Sequence, residues 1–343
     1  MRNSKIELFR ILAAFSVLAV HFNGWFLGGL ASKPDLGNSV ELGQSIIASL
    51  FVVCVNCFIL ISGFFGVHLR LKSVWKFIIQ LLGIFVPMYL LSCLSKVDSF
   101  SVKTLAHNCF VISRGGYFVQ CYFLLLLISP LLNPLFEQKK RNATFLTFVL
   151  VLTEFWLDAV MKQEAIGFGH GYQALHFIVM YCCGRCISLY KEELLKVRDV
   201  LWIVGYFVCT FISWVLYVSG VSFALTYSSL FVIGSSVCLF IPFLRDRFEN
   251  KVINWIASGS FAVYIVQFVN PGYYYLCRID TALMSMNTYP MYLMKAAGVI
   301  VVFFMGCVLY DKVRQYATRP VDRWLYPRIE CFILSLINKK HDE

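Results

Sequence analysis

The sequence predicts an all-α fold, a polytopic bundle of transmembrane helices. Apolar residues make up 59% of the 343 residues, and charged residues make up only 14%. Runs of about twenty apolar residues recur along the whole chain, which is the length that crosses a hydrocarbon core of ~30 Å. The runs are continuous rather than alternating, and this favours helices over a transmembrane β-barrel. Such a composition leaves no room for a large soluble domain.

About ten apolar runs are predicted to span the membrane. No small-residue cleavage signal follows the first run, so we expect it to be retained as a span rather than removed as a signal peptide. The other runs follow without an internal repeat or a Gly/Ser linker. The predicted spans are 6–27, 42–66, 77–95, 117–136, 143–160, 173–190, 200–219, 223–243, 252–276 and 291–311.

The distribution of Lys and Arg predicts the orientation of these spans. With the N-terminus inside, the inner segments carry 21 of the 30 basic residues and the outer segments carry 7. By the positive-inside rule, this bias places both termini in the cytoplasm. Topology therefore explains most of the formal net charge of +11, and we expect no nucleic acid among the partners.

The chain is predicted to divide into a transmembrane domain, 1–315, and a short tail, 316–343. The tail segment "IECFILSLI" is too short to span and is flanked by Arg328, Lys339 and Lys340. This pattern predicts an amphipathic helix that lies on the inner surface of the membrane, in contact with lipid. The 13 cysteines lie mainly inside spans, and their spacing is not that of a metal site. We therefore expect them to be packing residues, with no metal and no disulfide.

Two ionisable side chains in the first span give the strongest functional signal. Arg10 and His21 are eleven positions apart, so they lie about 20° apart around the helix and ~16 Å apart along it. Glu7 precedes Arg10 by one turn and is expected to form a structural pair with it. Ionisable groups inside a membrane usually mark function, so we interpret this face as part of a site. A satisfied core histidine beside a snorkelling arginine is the alternative.

The second span and the segment after it carry further polar residues. Asn56, Ser62 and Gly63 lie in "VNCFILISGFFG", where small residues favour close helix packing. A cluster of three cations follows at the predicted inner surface, where it either binds phosphates or only fixes the topology. The cluster consists of Arg70, Lys72 and Lys76.

Polar residues towards the predicted outer side are candidates for contact with an acceptor. "GYFVQ" contributes Tyr117 and Gln120, and "TEFWLD" contributes Glu154; solvation at the interface explains them equally well. His176 flanks an outer loop and is expected to be solvated or to cap a helix. The ninth span carries polar residues at a spacing that predicts either a lined cavity or hydrogen bonds between helices. These residues are Ser260, Tyr264, Gln267 and Asn270.

Taken together, these motifs resemble the membrane-bound acyltransferase 3 family. Arg10, ten intervening residues and His21 are similar to its Arg-x10-His signature, "FILISGFFG" to its second-span Ser-Gly-Phe/Tyr motif, and "SFAVYIVQ" to its late-span Ser-Phe-x-x-Tyr segment. The resemblance covers about 6–315. Three positions depart from the family pattern. Lys72 takes the second place of an Arg-x-Arg element, Tyr117 stands where Trp is frequent, and Gln267 stands where many members have His.

The resemblance implies an enzyme of the bacterial cytoplasmic (inner) membrane that transfers an acyl group to a hydroxyl. The donor is acyl-CoA, often acetyl-CoA, used as a co-substrate with no bound cofactor. The acceptor is a surface glycan or its lipid-linked precursor. His21 matches the family's catalytic residue and Arg10 its signature partner, while Arg70, Lys72 and Lys76 would bind the donor.

Imidazole chemistry suits such a transfer. A sugar hydroxyl needs a general base whose pKa lies near the working pH, and the ordinary pKa of imidazole is about 6.5. Direct transfer requires the fewest steps, and a covalent acyl-histidine relay is the alternative. Asn56, Ser62 and Tyr264 are candidates to stabilise the oxyanion. A transporter or flippase for lipid-linked sugars is the competing function, with Arg10 and His21 lining its path. The sequence assigns no oligomeric state.

Overall fold

The structure, a computed structural model, describes residues 3–161 and 167–339, and these two stretches contain helices and no strand. Their α-helices are α1 (Ser4–Asn23), α2 (Ser39–Phe51), α3 (Cys54–Phe65), α4 (Leu71–Leu94), α5 (Val102–Cys109), α6 (Val111–Arg114), α7 (Gly116–Gln138), α8 (Lys140–Phe155), α9 (Ala174–Leu189), α10 (Lys191–Leu194), α11 (Asp199–Val218), α12 (Leu230–Phe240), α13 (Lys251–Ala257), α14 (Ser260–Val266), α15 (Gly272–Met286) and α16 (Tyr289–Lys339).

The prediction of an all-helical membrane protein is confirmed. In the described part of the chain, 7 helical segments are long and apolar enough to cross a membrane. Three shorter apolar helices coincide with the predicted sixth, eighth and ninth spans, namely Ala174–Leu189, Leu230–Leu244 and Lys251–Val266. Where helices begin, the cause is often a side-chain cap: Asn3 accepts a hydrogen bond from the amide of Lys5 at the start of α1, and Asn38 does the same for Val40 at the start of α2.

Helix α1 lies at the centre of the bundle and carries both Arg10 and His21. It packs against α2, α3, α13, α14 and α16, and it buries apolar side chains such as Phe9 and Leu18. The helix ends at Gly24, and a short 3-10 turn, Trp25–Leu27, follows. His21 therefore stands in the last turn of a helix that other helices surround.

Helices α3 and α9 are in direct backbone contact because each contributes a glycine. A Cβ atom added to Gly63 would lie 2.2 Å from the carbonyl oxygen of Tyr181, and one added to Gly184 would lie 2.5 Å from that of Leu60. No real side chain fits at these distances. Close helix packing, one of the interpretations of the second-span motif, thus accounts for Gly63.

The prediction of one continuous ninth span over 252–276 is wrong. This stretch is divided into α13 and α14, and residues 267–271 separate α14 from α15. Pro271 has no N–H to continue a helix and disfavours helical geometry at the residue before it. Gln267 lies at the start of this interruption, directly after α14.

The last helix, α16, runs through Pro320 and Pro327 without ending. The boundary predicted at 315 therefore does not coincide with a helix end. A location of the tail on the membrane surface stays a prediction, and residues 340–343 of the tail lie outside the described residues.

Candidate active site

The imidazole of His21 has a hydrogen-bond partner that fixes its tautomer. Its Nδ1 atom lies 2.7 Å from Oε1 of Gln267, a residue that is 0% exposed. An amide oxygen can only accept, so Nδ1 carries the hydrogen and Nε2 keeps a free lone pair. His21 itself is partly accessible. In the neutral form of the ring, the basic nitrogen is therefore Nε2.

Three aromatic rings surround this imidazole. The ring centroid of Trp25 lies 4.9 Å from that of His21, Phe268 lies at 5.0 Å and Phe26 at 5.8 Å. Trp25 belongs to the turn after α1, while Phe268 belongs to the interruption after α14. The ends of two neighbouring helices thus build an aromatic wall around the imidazole.

A cavity of about 340 Å³ adjoins this wall, and we call it the histidine cavity. Two of the rings that contact His21, those of Trp25 and Phe268, line it. Its other lining residues come from α4, α7, α14 and the segments that flank them. They are Phe85, Gly115, Gly116, Tyr117, Tyr264, Ile265, Val269 and Tyr273.

A second cavity, of about 300 Å³, lies at the level of Arg10, and we call it the arginine cavity. Arg10 lines it while donating a hydrogen bond from Nη1 to Glu7 Oε2 over 2.7 Å. The side chain of Glu7 is largely buried, so this contact anchors the guanidinium one turn along α1. Among the other lining residues are Ser62, Phe77, Gln80, Phe118, Tyr122, Ser258, Ser260 and Phe261.

One aromatic contact separates the two cavities. Phe118 lines the arginine cavity, Tyr264 lines the histidine cavity, and their ring centroids are 4.8 Å apart. Tyr264 also lies 5.0 Å from Phe268, which contacts His21. A slim chain that reached from Arg10 to His21 would therefore have to pass these rings.

The polar residues of the predicted ninth span combine both interpretations that their spacing allowed. Ser260 lines the arginine cavity and Tyr264 the histidine cavity. Gln267 instead makes the hydrogen bond between helices to His21. Asn270 lines a third, polar cleft beyond the histidine cavity. In chain order, these four residues therefore lead from the arginine cavity, past the histidine cavity and His21, to the polar cleft.

The expectation that His176 is solvated or caps a helix is wrong. His176 is 0% exposed, and its Nδ1 lies 2.7 Å from Glu154 Oε1 while its Nε2 lies 2.8 Å from Asn56 Oδ1. The Asn56 amide in turn donates to the carbonyl oxygen of Tyr227 over 3.0 Å. A buried network therefore joins α3, α8 and α9. The sequence feature that could have indicated this network is the presence of a polar residue in each of three apolar runs.

The six acceptor or oxyanion candidates consequently lie in four environments. Tyr117 and Tyr264 line the histidine cavity, and Ser62 lines the arginine cavity. Gln120 is exposed. The remaining two, Asn56 and Glu154, belong to the buried network around His176 and are not among the lining residues of either cavity.

The cation cluster lies at the start of α4. Arg70 is the residue before the first turn of this helix, and Lys72 and Lys76 are exposed four positions apart, on one helix face. Phe77 and Gln80, farther along the same helix, line the arginine cavity. The helix thus connects an exposed positive surface with an internal space.

Comparison with known proteins gives one match. A family model described as an acyltransferase domain matches residues 3–312. The match confirms the resemblance that the Arg10–His21 spacing and the two later motifs indicated. No curated protein and no solved structure matches the chain.

Proposed function

This chain belongs to the membrane-bound acyltransferase 3 family, and we propose that it is an O-acyltransferase that uses His21 as a general base. In this proposal, acyl-CoA from the cytoplasm donates an acetyl group. A hydroxyl of a surface polysaccharide, or of its lipid-linked precursor, accepts it. The observation that carries the proposal is the His21–Gln267 hydrogen bond, which makes Nε2 the basic nitrogen of a ring whose aromatic neighbours Trp25 and Phe268 line the histidine cavity.

The reaction balances without a further reactant. The acceptor hydroxyl gives its proton to His21 Nε2 as its oxygen attacks the thioester carbonyl carbon. The tetrahedral oxyanion then collapses, the C–S bond breaks, and the imidazolium returns the proton to the leaving thiolate. The products are the O-acyl ester and free coenzyme A. Tyr264 and Tyr117, which line the histidine cavity, are the available hydroxyl donors for the oxyanion.

The donor enters from the end of the bundle that carries the cation cluster. Its phosphates bind Arg70, Lys72 and Lys76 through charge-assisted hydrogen bonds, helped by the positive end of the α4 dipole. The pantetheine arm lies in the arginine cavity, where Arg10 is held by Glu7. Displacement of the Phe118 ring from Tyr264 then lets the thioester reach His21, because these two rings separate the cavities.

This route requires a defined topology. We place ten spans across the bacterial cytoplasmic membrane, with both termini in the cytoplasm. The 7 long helices and the three shorter apolar helices supply the spans, and the positive-inside bias supports their orientation. In this topology, the histidine cavity opens towards the outer side of the membrane, where the glycan acceptor is located.

A transporter or flippase for lipid-linked sugars is the competing function. The interruption between α14 and α15 favours it, because transporters commonly bind their substrates at broken helices. The two proposals differ in what happens to the donor. Only an acyltransferase moves label from acetyl-CoA into the glycan.

Labelled acetyl-CoA supplied to membranes with candidate glycans tests the proposal. We expect His21→Ala to abolish label transfer while the variant still inserts and folds, since His21 makes one side-chain hydrogen bond. His68→Ala is the matched control, because His68 is an exposed histidine outside both cavities. Mass spectrometry of surface glycans with and without the gene identifies the acyl mass and the modified unit. Full transfer by His21→Ala would overturn the assignment.

A further inference from the structure

A third space, the polar cleft, adjoins the histidine cavity and is not used by the chemistry described above. It has a volume of about 420 Å³, within the range of ~300–1,000 Å³ that is typical of small-molecule sites. Phe85, Phe268, Val269 and Tyr273 line both spaces, so the two are contiguous. The polar side of the cleft is formed by Tyr89, Asp98, Ser99, Thr104, Asn108 and Asn270.

The carboxylate of Asp98 is held in a fixed position in this cleft. Ser92 Oγ donates to Asp98 Oδ2 over 2.6 Å, and Asn270 Nδ2 lies 3.2 Å from both carboxylate oxygens. Ser92 is 0% exposed, so the first of these contacts is screened from solvent. Asp98 thus tethers the end of α4 to the segment between α14 and α15.

The loop that carries Asp98 is also ordered. Lys96 adopts a positive φ of 58°, which turns the chain back after α4. The hydroxyl of Tyr89 accepts a hydrogen bond from the Ser101 amide over 2.7 Å. These contacts pre-form the cleft, which reduces the ordering cost when a ligand binds.

The chemistry of the lining fits a ring that carries several hydroxyl groups. A carboxylate accepts hydrogen bonds from two neighbouring hydroxyls, while the Asn270 amide and the Thr104 hydroxyl both donate and accept. The rings of Phe268 and Tyr273 are 36% and 37% exposed at the border with the histidine cavity, and such rings offer an apolar face to the C–H side of a sugar.

The charge of the lining selects between classes of sugar. Among the described residues that line the cleft there is one carboxylate and no Lys, Arg or His. An anionic sugar would meet Asp98 without a compensating cation, and this repulsion is strongest where water is partly excluded. A neutral ring meets no such penalty.

We propose that the polar cleft binds the acceptor as an uncharged glycan unit, with Asp98 accepting hydrogen bonds from its ring hydroxyls. The inference rests on the proposed function for the identity of the acceptor. The shared border of the two spaces directs one hydroxyl of the bound unit towards His21. Asp98 and Thr104 are accordingly specificity residues rather than catalytic ones.

Binding without any donor tests this proposal separately from the reaction. The full-length protein in detergent is titrated with methyl glycosides of gluco, galacto and manno configuration, and with the uronic acid that matches each. Ligand-observed saturation-transfer NMR reports Kd for each probe. We expect at least one neutral glycoside to bind and its uronic acid to bind roughly tenfold or more weakly.

Two variants probe the lining. Asp98→Asn keeps an acceptor for Ser92 but removes the charge, so we expect roughly tenfold weaker binding of the neutral glycoside and a smaller gap to its uronic acid. Thr104→Val is nearly isosteric, leaves the Asp98 contacts intact and is expected to weaken binding severalfold. Asp246→Asn, at an aspartate whose side chain is 79% exposed, is the control and should bind as the unaltered protein does.

Each outcome decides the proposal. Binding of a neutral glycoside that depends on Asp98 and persists in His21→Ala supports the cleft even if no transfer is ever detected. Failure of all neutral probes to bind, equal affinity for the uronic acids, or full binding by both cleft variants would overturn it. Loss of label transfer in His21→Ala concerns the catalytic proposal alone.

Discussion

Gln267 and His21 are 246 positions apart in the chain, and the amide oxygen of one lies 2.7 Å from Nδ1 of the other. The contact joins the last turn of α1 to the residue that follows α14. Because a carbonyl oxygen only accepts, it selects the tautomer in which Nε2 is basic. The residue that replaces the family's frequent histidine at this position therefore sets the protonation pattern of the proposed base.

Removal of this amide should lower turnover more than it changes substrate binding. We expect Gln267→Leu to reduce kcat by roughly tenfold, since one buried hydrogen bond contributes about 0.5–1.5 kcal/mol and the ring also loses its orientation. Gln267→His should retain more activity than Gln267→Leu, because a second imidazole offers a hydrogen-bond partner at the same place. Steady-state kinetics with labelled acetyl-CoA provide the measurement.

The matched control is Gln138→Leu, at an exposed glutamine in the last turn of α7. It repeats the chemical change far from the imidazole and should leave kcat unaltered. Equal rates for Gln267→Leu and the unaltered protein would show that the tautomer does not limit the reaction.

The cation cluster is predicted to act on the donor alone. Neutralising Arg70, Lys72 and Lys76 to Gln should raise the KM for acyl-CoA by about tenfold or more, because charge-assisted hydrogen bonds to phosphate are lost. The kcat should change less, since these residues lie away from His21. The KM for the acceptor should stay the same.

A second exposed trio, at the junction of α7 and α8, gives the control for net charge and for topology. Replacement of its three cations by Gln removes the same charge without touching α4. An equal rise of the donor KM in both triple variants would mean that the cation cluster at the start of α4 does not bind the donor and only fixes the topology. The trio consists of Lys139, Lys140 and Arg141.

Periodicity and spacing predicted the helical membrane fold and the shared face of Arg10 and His21. The Glu7–Arg10 contact was also accessible, because residues three positions apart on a helix are neighbours. The apolar pattern predicted a continuous ninth span and missed its interruption at residues 267–271. Apolar composition alone does not reveal that the helix is interrupted before Pro271, which has no N–H to continue a helix.

Contacts between segments that are distant in the chain could not be predicted from the sequence. Gln267 was visible as a departure from a motif, but nothing in the spacing pairs it with His21. Likewise, the sequence predicted that Glu154 and His176 are interfacial residues, because each lies near the end of an apolar run. Only the packing of α3, α8 and α9 buries them together. Polar residues in separate spans were a signal for such a network without indicating its partners.

His176 and His21 should differ in what their loss does to the protein. His176→Ala leaves the Glu154 carboxyl buried without a partner, which typically costs about 3–5 kcal/mol. We expect a much lower Tm or loss of folded protein. His21→Ala, at a partly accessible residue with one side-chain hydrogen bond, should lose much less Tm in the same thermal melts.

An apolar replacement of the whole pair distinguishes a structural network from a catalytic one. The double variant Glu154→Leu/His176→Phe removes both polar groups together and should recover part of the Tm, because well-packed apolar residues can substitute for buried ion pairs. A double variant that folds but has no transfer activity would contradict a purely structural role for the Glu154–His176 pair.

The backbone contact of α3 with α9 predicts a strong position effect among glycines. Gly63→Ala and Gly184→Ala place a Cβ within 2.2 Å and 2.5 Å of carbonyl oxygens, so each should cost about 1–3 kcal/mol or more by overpacking. Gly298→Ala, with nothing within 4 Å of its added Cβ, should leave the Tm unchanged or slightly higher. Thermal melts of the three purified variants compare them directly, and equal Tm values would contradict the close packing.

A carboxyl group near the end of α1 carries a pH-dependent contact. Tyr292 Oη lies 2.6 Å from the carbonyl oxygen of Phe22 and 2.8 Å from Oδ1 of Asp280. The Tyr292 hydroxyl is the donor in these contacts, and because it has a single hydrogen it donates to only one of the two oxygens at a time. Burial raises the pKa of the Asp280 carboxyl to about 7, although the hydrogen bond with Tyr292 acts in the opposite direction.

Stability should therefore fall as the pH rises from about 4, the ordinary pKa of an exposed aspartate, towards neutrality, and should level off above about 7. The folded protein holds the Asp280 proton more tightly than an exposed carboxyl does, so this contribution is complete at acidic pH and is lost as the pH passes through about 7. Asp280→Asn mimics the protonated acid and should flatten the decline of Tm between about pH 5 and pH 7. Asp246→Asn, at an aspartate that is 79% exposed, should keep the slope of the unaltered protein. Parallel slopes for all three proteins would mean that Asp280 does not exchange its proton in this range.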